Sequence, residues 1–222
     1  MILPRPPAAV VFDMDGLLFD TEALYRDAFL LASDEGGHGF GEALFRATVG
    51  NTWPMTQALL FRHAGNDFPI DAFLASWHRH YAVVAADGVP LKPGVLPLLD
   101  TLDALGLPRA IATSSRRETA TGHLAAHALT DRFHTVVAQG DAAASKPAPD
   151  PYLLAALRLG VAPDRCLALE DSHNGVRSAS AAGMMTVMVP DLLEATAEIA
   201  ALCIFVATDL HRVRDAVLRV HR

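Results

Sequence analysis

Residues 8 to 12, AAVVF, form a short unbroken apolar run that stops at Asp13. Such a run, with no polar alternation, fits a strand buried on both faces of a parallel sheet. Comparable runs recur as PRAIAT at 108 to 113, HTVVAQ at 134 to 139, RCLALE at 165 to 170 and MTVMV at 185 to 189. Between them the spacing changes to the helical period. Val95, Leu98, Leu99, Leu102 and Leu105 share one stripe, with Gly106 placed to stop it. PYLLAALRL at 151 to 159 starts on a first-turn proline and ends before Gly160, and Ser172 is placed to cap a helix through Val176, Ala179 and Ala182 that Gly183 terminates.

Strands alternating with helices predict right-handed βαβ units, and so an α/β fold with a doubly wound parallel sheet of the Rossmann-like kind. From Thr21 to Ala86 the alternation fails. EALYRDAFLLA, GEALFRATV, MTQALLFRHA and IDAFLASWHRHYAVV read as successive amphipathic helices. The expected organisation is a core of residues 1–19 and 88–222 carrying an inserted helical cap of residues 20–87, with its edges near Asp20 and Asp87-Gly88.

Composition narrows the class. With 222 residues, 51% hydrophobic and 19% charged, the chain is long and apolar enough for a substantial core and unlike a disordered one. A net charge of -7 with no run of Lys or Arg offers no footprint for nucleic acid or an anionic membrane. No apolar run approaches the roughly 18 residues that cross a bilayer, and MILPRPPAAVVFDMD reaches Asp13 before a signal-peptide core is complete, so a cytoplasmic location is expected. A monomer is expected as well. Cys166 and Cys203, in apolar surroundings without metal-site spacing, read as buried, inert thiols. Of 18 basic residues only Lys92 and Lys146 are lysines, and a compact ammonium suits a single phosphate oxygen better than the broad fork of Arg. Lys92, ahead of Pro93-Gly94, reads as structural.

Four strands are each followed by polar groups: Asp13 and Asp15, then Thr113-Ser114-Ser115, then Lys146, then Glu170-Asp171. Ligands of open α/β sheets bind beyond the carboxyl ends of the strands, so all four clusters should face one site. Up to four carboxylates there repel one another, by about 4 kcal/mol for a pair 4 Å apart at an effective dielectric near 20. Hard oxygen ligands unsupported by His or Cys point to Mg²⁺ held by Asp13, Asp15, Glu170 and Asp171, and Lys146 adds a second positive charge. Donors at Thr113 and Ser114 complete a cradle for a phosphoryl group. Asp13 is placed to attack phosphorus, and Asp15 to protonate the leaving oxygen and then activate water. A calcium loop is excluded because Leu17 falls where an oxygen ligand is required. His78 and His80, two apart on a helix, diverge and read as solvated, and Tyr25 and Trp53 read as packing residues.

The segments FDMDGLLFDTE, IATSS, the Lys of SKPAPDPY and LEDSHNGVRSASAAGM, in that order, resemble the four motifs of the haloacid dehalogenase-like hydrolases. The closer resemblance is to the branch with a helical cap after the first motif, which includes β-phosphoglucomutase, phosphoglycolate phosphatase and pseudouridine-5'-phosphatase. It implies that Asp13 is nucleophile and metal ligand, and that Asp15 is acid/base and binds metal through its carbonyl. It also implies that Thr113 and Lys146 hold the phosphate and that Asp171 with Glu170 completes the Mg²⁺ site. The presence of Asp15 argues against the dehalogenase reaction. Where the mutases of the branch carry a His and a cap-loop Arg, this chain has Tyr25 and Trp53, which favours hydrolysis of a small phosphorylated metabolite. A phosphomutase and a catalytically idle phosphate-binding protein are the alternatives. Substrate choice is expected in the cap, at Gly50-Asn51-Thr52.

Overall fold

The computed structural model describes residues 1–49, 53–86 and 88–221, so Gly50, Asn51 and Thr52, and the expected cap edge at Asp87, lie outside the described residues. The chain divides into two compact units, one of Met1–Asp20 with Pro90–Arg222 and one of Thr21–Val89.

The first unit is built on six parallel strands: β1 (Ala9–Phe12), β2 (Arg109–Ala112), β3 (Thr135–Val137), β4 (Cys166–Glu170), β5 (Met185–Met188) and β6 (Phe205–Val206). Their order across the sheet is β3-β2-β1-β4-β5-β6, the doubly wound arrangement in which the order reverses at β1. Five strands coincide with the apolar runs of the sequence, and β1, β2, β4 and β5 are buried along their whole length, as strands covered on both faces must be. β6 has only two residues, too few to stand out within LCIFV as a strand.

Each residue type is placed by the pleat. Ala9, Val11, Ala110, Ala112, Cys166 and Ala168 share one face. These small side chains admit α7 (Asp150–Leu159), whose Tyr152, Ala155 and Ala156 are almost fully buried against them, and Ala179 of α8 (His173–Ala181). The connection from β1 passes through the second unit's helices α1 (Thr21–Gly36), α2 (Glu42–Thr48), α3 (Trp53–Ala64) and α4 (Ile70–Val84) before α5 (Val95–Ala104) leads into β2. The chain then runs through α6 (Arg117–Ala126) to β3, and α9 (Ala197–Leu202) and α10 (Leu210–Val220) flank β6. None of these helices is long and apolar enough to cross a membrane among the described residues.

The second unit has an aromatic centre. Phe29 contacts the rings of Phe40, Phe45, Phe73 and Trp77 at 5.0–6.0 Å between centroids. Tyr25 stacks on Tyr81 at 4.1 Å, and Glu35 on α1 joins Ser76, Arg79 and His80 on α4. His80 is thus a hydrogen-bond partner of Glu35 within its own unit.

Gly122 lies in the middle of α6, exposed, and a Cβ there meets nothing within 4 Å. Gly122→Ala should therefore raise unfolding free energy by about 0.5–1 kcal/mol, the helix-propensity difference alone, measured by urea denaturation.

Candidate active site

Asp13 is the first residue beyond β1, at the point where the sheet order reverses. Its N–H donates to Leu169 O at 2.9 Å, so pairing with β4 continues one residue past the strand and fixes where the side chain emerges. The chain then turns at once, with Leu18 and Phe19 N–H both donating to Met14 O and Gly16 N–H to Phe19 O. Gly16 has φ +82°, and a Cβ there would sit 2.4 Å from Asp171 Oδ2, so conformation and space both require glycine.

Asp15 leaves this turn with Oδ2 accepting from Ser115 Oγ at 2.7 Å and from Thr113 Oγ1 at 3.3 Å. Ser115 N–H donates back to Thr113 Oγ1 at 3.0 Å, so the loop after β2 orients both hydroxyls, with Ser114 exposed between them. The next loop carries Lys146. It is tied down by Gln139 N–H on Ser115 O at 2.9 Å and by Ser178 Oγ on Ala148 O at 2.5 Å. Lys146 Nζ, on a side chain only 6% exposed, reaches Asp13 Oδ1 and Glu170 Oε1, each at 2.5 Å.

Glu170, the last residue of β4, is fully buried. Its Oε1 accepts from Lys146 and from Tyr152 OH at 2.8 Å; its Oε2 accepts from Asp171 N–H, Ser172 N–H and Ser172 Oγ at 2.9–3.1 Å. Five donors on a group with about four lone-pair sites leave it no freedom. Ser172 Oγ also accepts from Gly175 N–H at 3.1 Å, so the cap of α8 and the anchor of the site are one structure.

Asp13, Glu170 and Asp171 each offer an oxygen, all within 4.8 Å of one another. One ammonium faces three carboxylates. Burial pushes Asp13 up from 3.8 to about 7, against the pull of Lys146, with Glu170 and Asp15 adding to the rise. Burial also lifts Asp171 well above the carboxylate range, helped by Asp13 and Glu170. Burial works to lower Lys146, but the carboxylates of Asp13 and Glu170 outweigh it and hold the ammonium above its ordinary value. The site has an excess of negative charge, and hard oxygens without nitrogen or sulfur fit a hard divalent cation.

Asp13, Asp15, Thr113, Lys146, Glu170 and Asp171 therefore come to one end of the sheet, as the strand-end pattern implied. Among the described residues the carboxylates that converge within 4.8 Å are three rather than four, because Asp15 turns its carboxylate to the hydroxyls of Thr113 and Ser115. Sequence reasoning passed over Tyr152, whose position on the apolar stripe of α7 reads as core, and the bond of Ser115 to Asp15. The Thr-Ser-Ser run was the one available signal for the latter.

The family model described as haloacid dehalogenase-like hydrolase matches residues 7–183, a span that contains all of these side chains. The chain belongs to this family. Among curated relatives of this haloacid dehalogenase-like hydrolase, Protein CbbY (plasmid) of Cupriavidus necator is 38% identical over 202 residues, covering 84% of this chain and 80% of that protein. The fructose-1-phosphate phosphatase YqaB of Escherichia coli is 33% identical over 185 residues, covering 82% and 96%. A solved haloacid dehalogenase family hydrolase from Deinococcus radiodurans, with bound phosphate and sodium, matches with a TM-score of 0.83 at 28% identity over 98% of this chain and 97% of that one. Within the haloacid dehalogenase-like hydrolases the chain falls in the helical-cap branch, and it is a phosphoric monoester hydrolase.

Proposed function

We propose that the protein hydrolyses a small sugar phosphate with Mg²⁺, through an aspartyl-phosphate on Asp13. The observation that carries this reading is Lys146 bridging Asp13 and Glu170 while Asp13, Glu170 and Asp171 converge within 4.8 Å at the switch point. Mg²⁺ held by Asp13, Asp171 and the Asp15 carbonyl beside Glu170 would neutralise charge on the phosphoryl group and so restore Asp13 to its ionised form.

An Asp13 carboxylate oxygen attacks phosphorus, forming an O–P bond as the bond to the sugar oxygen breaks. Asp15 delivers the proton to that departing oxygen. Asp15 then takes a proton from a water that attacks the same phosphorus, the Asp13–phosphorus bond breaks, and inorganic phosphate leaves with Asp13 regenerated. Lys146 and the donors of Thr113 and Ser114 hold the phosphoryl oxygens, where charge accumulates in the loose transition state. Glu170, saturated by its five donors, fixes Lys146 and the turn bearing Asp171. The phosphatase activity of the Escherichia coli relative toward fructose 1-phosphate supports a sugar phosphate as substrate.

A panel of phosphomonoesters, assayed for phosphate release with Mg²⁺ and with chelator, tests this reading. Sugar phosphates should lead the panel, and removal of Mg²⁺ should lower kcat/KM at least about 100-fold. Isomerisation of a sugar phosphate without phosphate release would replace the reading with a mutase, and inertness toward the whole panel with a phosphate-binding protein.

A further inference from the structure

Lys92, the second of the two lysines, has no part in the chemistry above. Its Nζ donates to Asp191 Oδ1 at 2.7 Å and to Asp20 Oδ1 at 3.4 Å, and its backbone N–H donates to Leu18 O in the turn that follows Asp13. Asp191 comes after β5, beyond the matched span of residues 7–183. Its side chain is only 9% exposed, and its second oxygen, Oδ2, is buried with no hydrogen-bond partner. A buried carboxylate oxygen without a donor costs free energy, so a donor is expected to arrive.

The direction of that oxygen indicates the donor. At the bare Cα of Gly16, the position a Cβ would take lies 2.4 Å from Asp171 Oδ2 and 3.3 Å from Asp191 Oδ2. The two carboxylates thus flank the same glycine, and Asp191 adds to the upward push on Asp171. Mg²⁺ bound to one or two carboxylates keeps several waters, and those waters donate strongly to carboxylates beyond the ligands.

We propose that Asp191, held by Lys92, accepts a hydrogen bond from a water on the cation bound at Asp13 and Asp171, and so is a positioning residue for that cation. The inference rests on the Mg²⁺ site proposed above. Gly16 then has a second purpose, since its missing side chain leaves the space between Asp171 and Asp191 open.

The test is Mg²⁺ binding measured calorimetrically on the whole protein without substrate. Asp191→Asn should weaken Mg²⁺ at least about 10-fold, the usual consequence of losing such a carboxylate. Asp20→Asn, which removes an equal charge from the same lysine but is not among the atoms nearest Gly16, should change Kd less than about 2-fold. Lys92→Gln, partly exposed and so tolerant of substitution, should weaken Mg²⁺ in the same direction as Asp191→Asn, and reads the same quantity should Asp191→Asn fail to fold. An unchanged Kd in the folded variants, or an equal loss in Asp20→Asn, overturns the inference. Failure of the wild-type protein to bind Mg²⁺ at all would instead remove the cation site on which it rests.

Discussion

Asp13→Asn should lower kcat by about four orders of magnitude or more while the protein stays folded. The asparagine keeps the shape and the backbone bond to Leu169, but it cannot form the bond to phosphorus. Stability supplies an independent reading of the same residue. Burial holds the Asp13 carboxyl at about 7 in the folded protein against an ordinary 3.8. A folded value above the unfolded one means that the contribution to stability is fully present below about 3.8 and is lost as pH rises through about 7. Metal-free wild type should therefore lose melting temperature relative to Asp13→Asn between about pH 4 and pH 7, and saturating Mg²⁺ should reverse that loss in the wild type. Turnover retained in the variant would sink the assignment of nucleophile. A melting-temperature difference independent of pH would remove the account of a buried, cation-dependent charge.

The sheet was legible because each central strand is an unbroken apolar run, and the site was legible because four of the strands are followed by polar residues whose chemistry needs the others. Asp13, Thr113, Lys146 and Glu170 lie far apart in sequence, yet parallel strands deliver their carboxyl ends to one edge, so order along the chain was enough to group them. Groups that act from within regular elements were harder to see. Tyr152 sits on the buried stripe of a helix, where an aromatic ring is ordinary core, and its hydroxyl finds Glu170 only because α7 lies across β1, β2 and β3 beside it. Asp191 lies in none of the polar clusters at the strand ends, and Lys92, ahead of Pro93-Gly94, reads as structural. Their pairing joins positions 99 residues apart that no periodicity connects. A two-residue strand such as β6 has no pattern of its own and is defined only by the β5 edge it pairs with.

Gly175→Ala carries the largest conflict between local and tertiary effects. Gly175 is the third residue of α8, where propensity alone favours alanine by about 1 kcal/mol. A Cβ at that position, however, would lie 1.7 Å from Glu170 Oε1 and 2.1 Å from Oε2, inside a carboxylate that is fully buried. A flexible side chain could swing away, but Glu170 is held by Lys146, Tyr152, Ser172 and two backbone N–H groups, and each direction of escape breaks some of these bonds. The alternative is for the first turn of α8 to lift, which breaks the Ser172 cap. Overpacking of this kind costs about 3 kcal/mol, more than the propensity gain, so the melting temperature should fall by roughly 6–12 °C for a chain of this size. Because Lys146 and Asp171 are both set by Glu170, kcat should fall about 100-fold in the fraction that remains folded. Gly122→Ala is the matched control, the same substitution within a helix in open space, and its stability change should have the opposite sign. A Gly175→Ala protein as stable and active as wild type would show that Glu170 does not lie beneath the first turn of α8, and Lys146 would lose its anchor in this account.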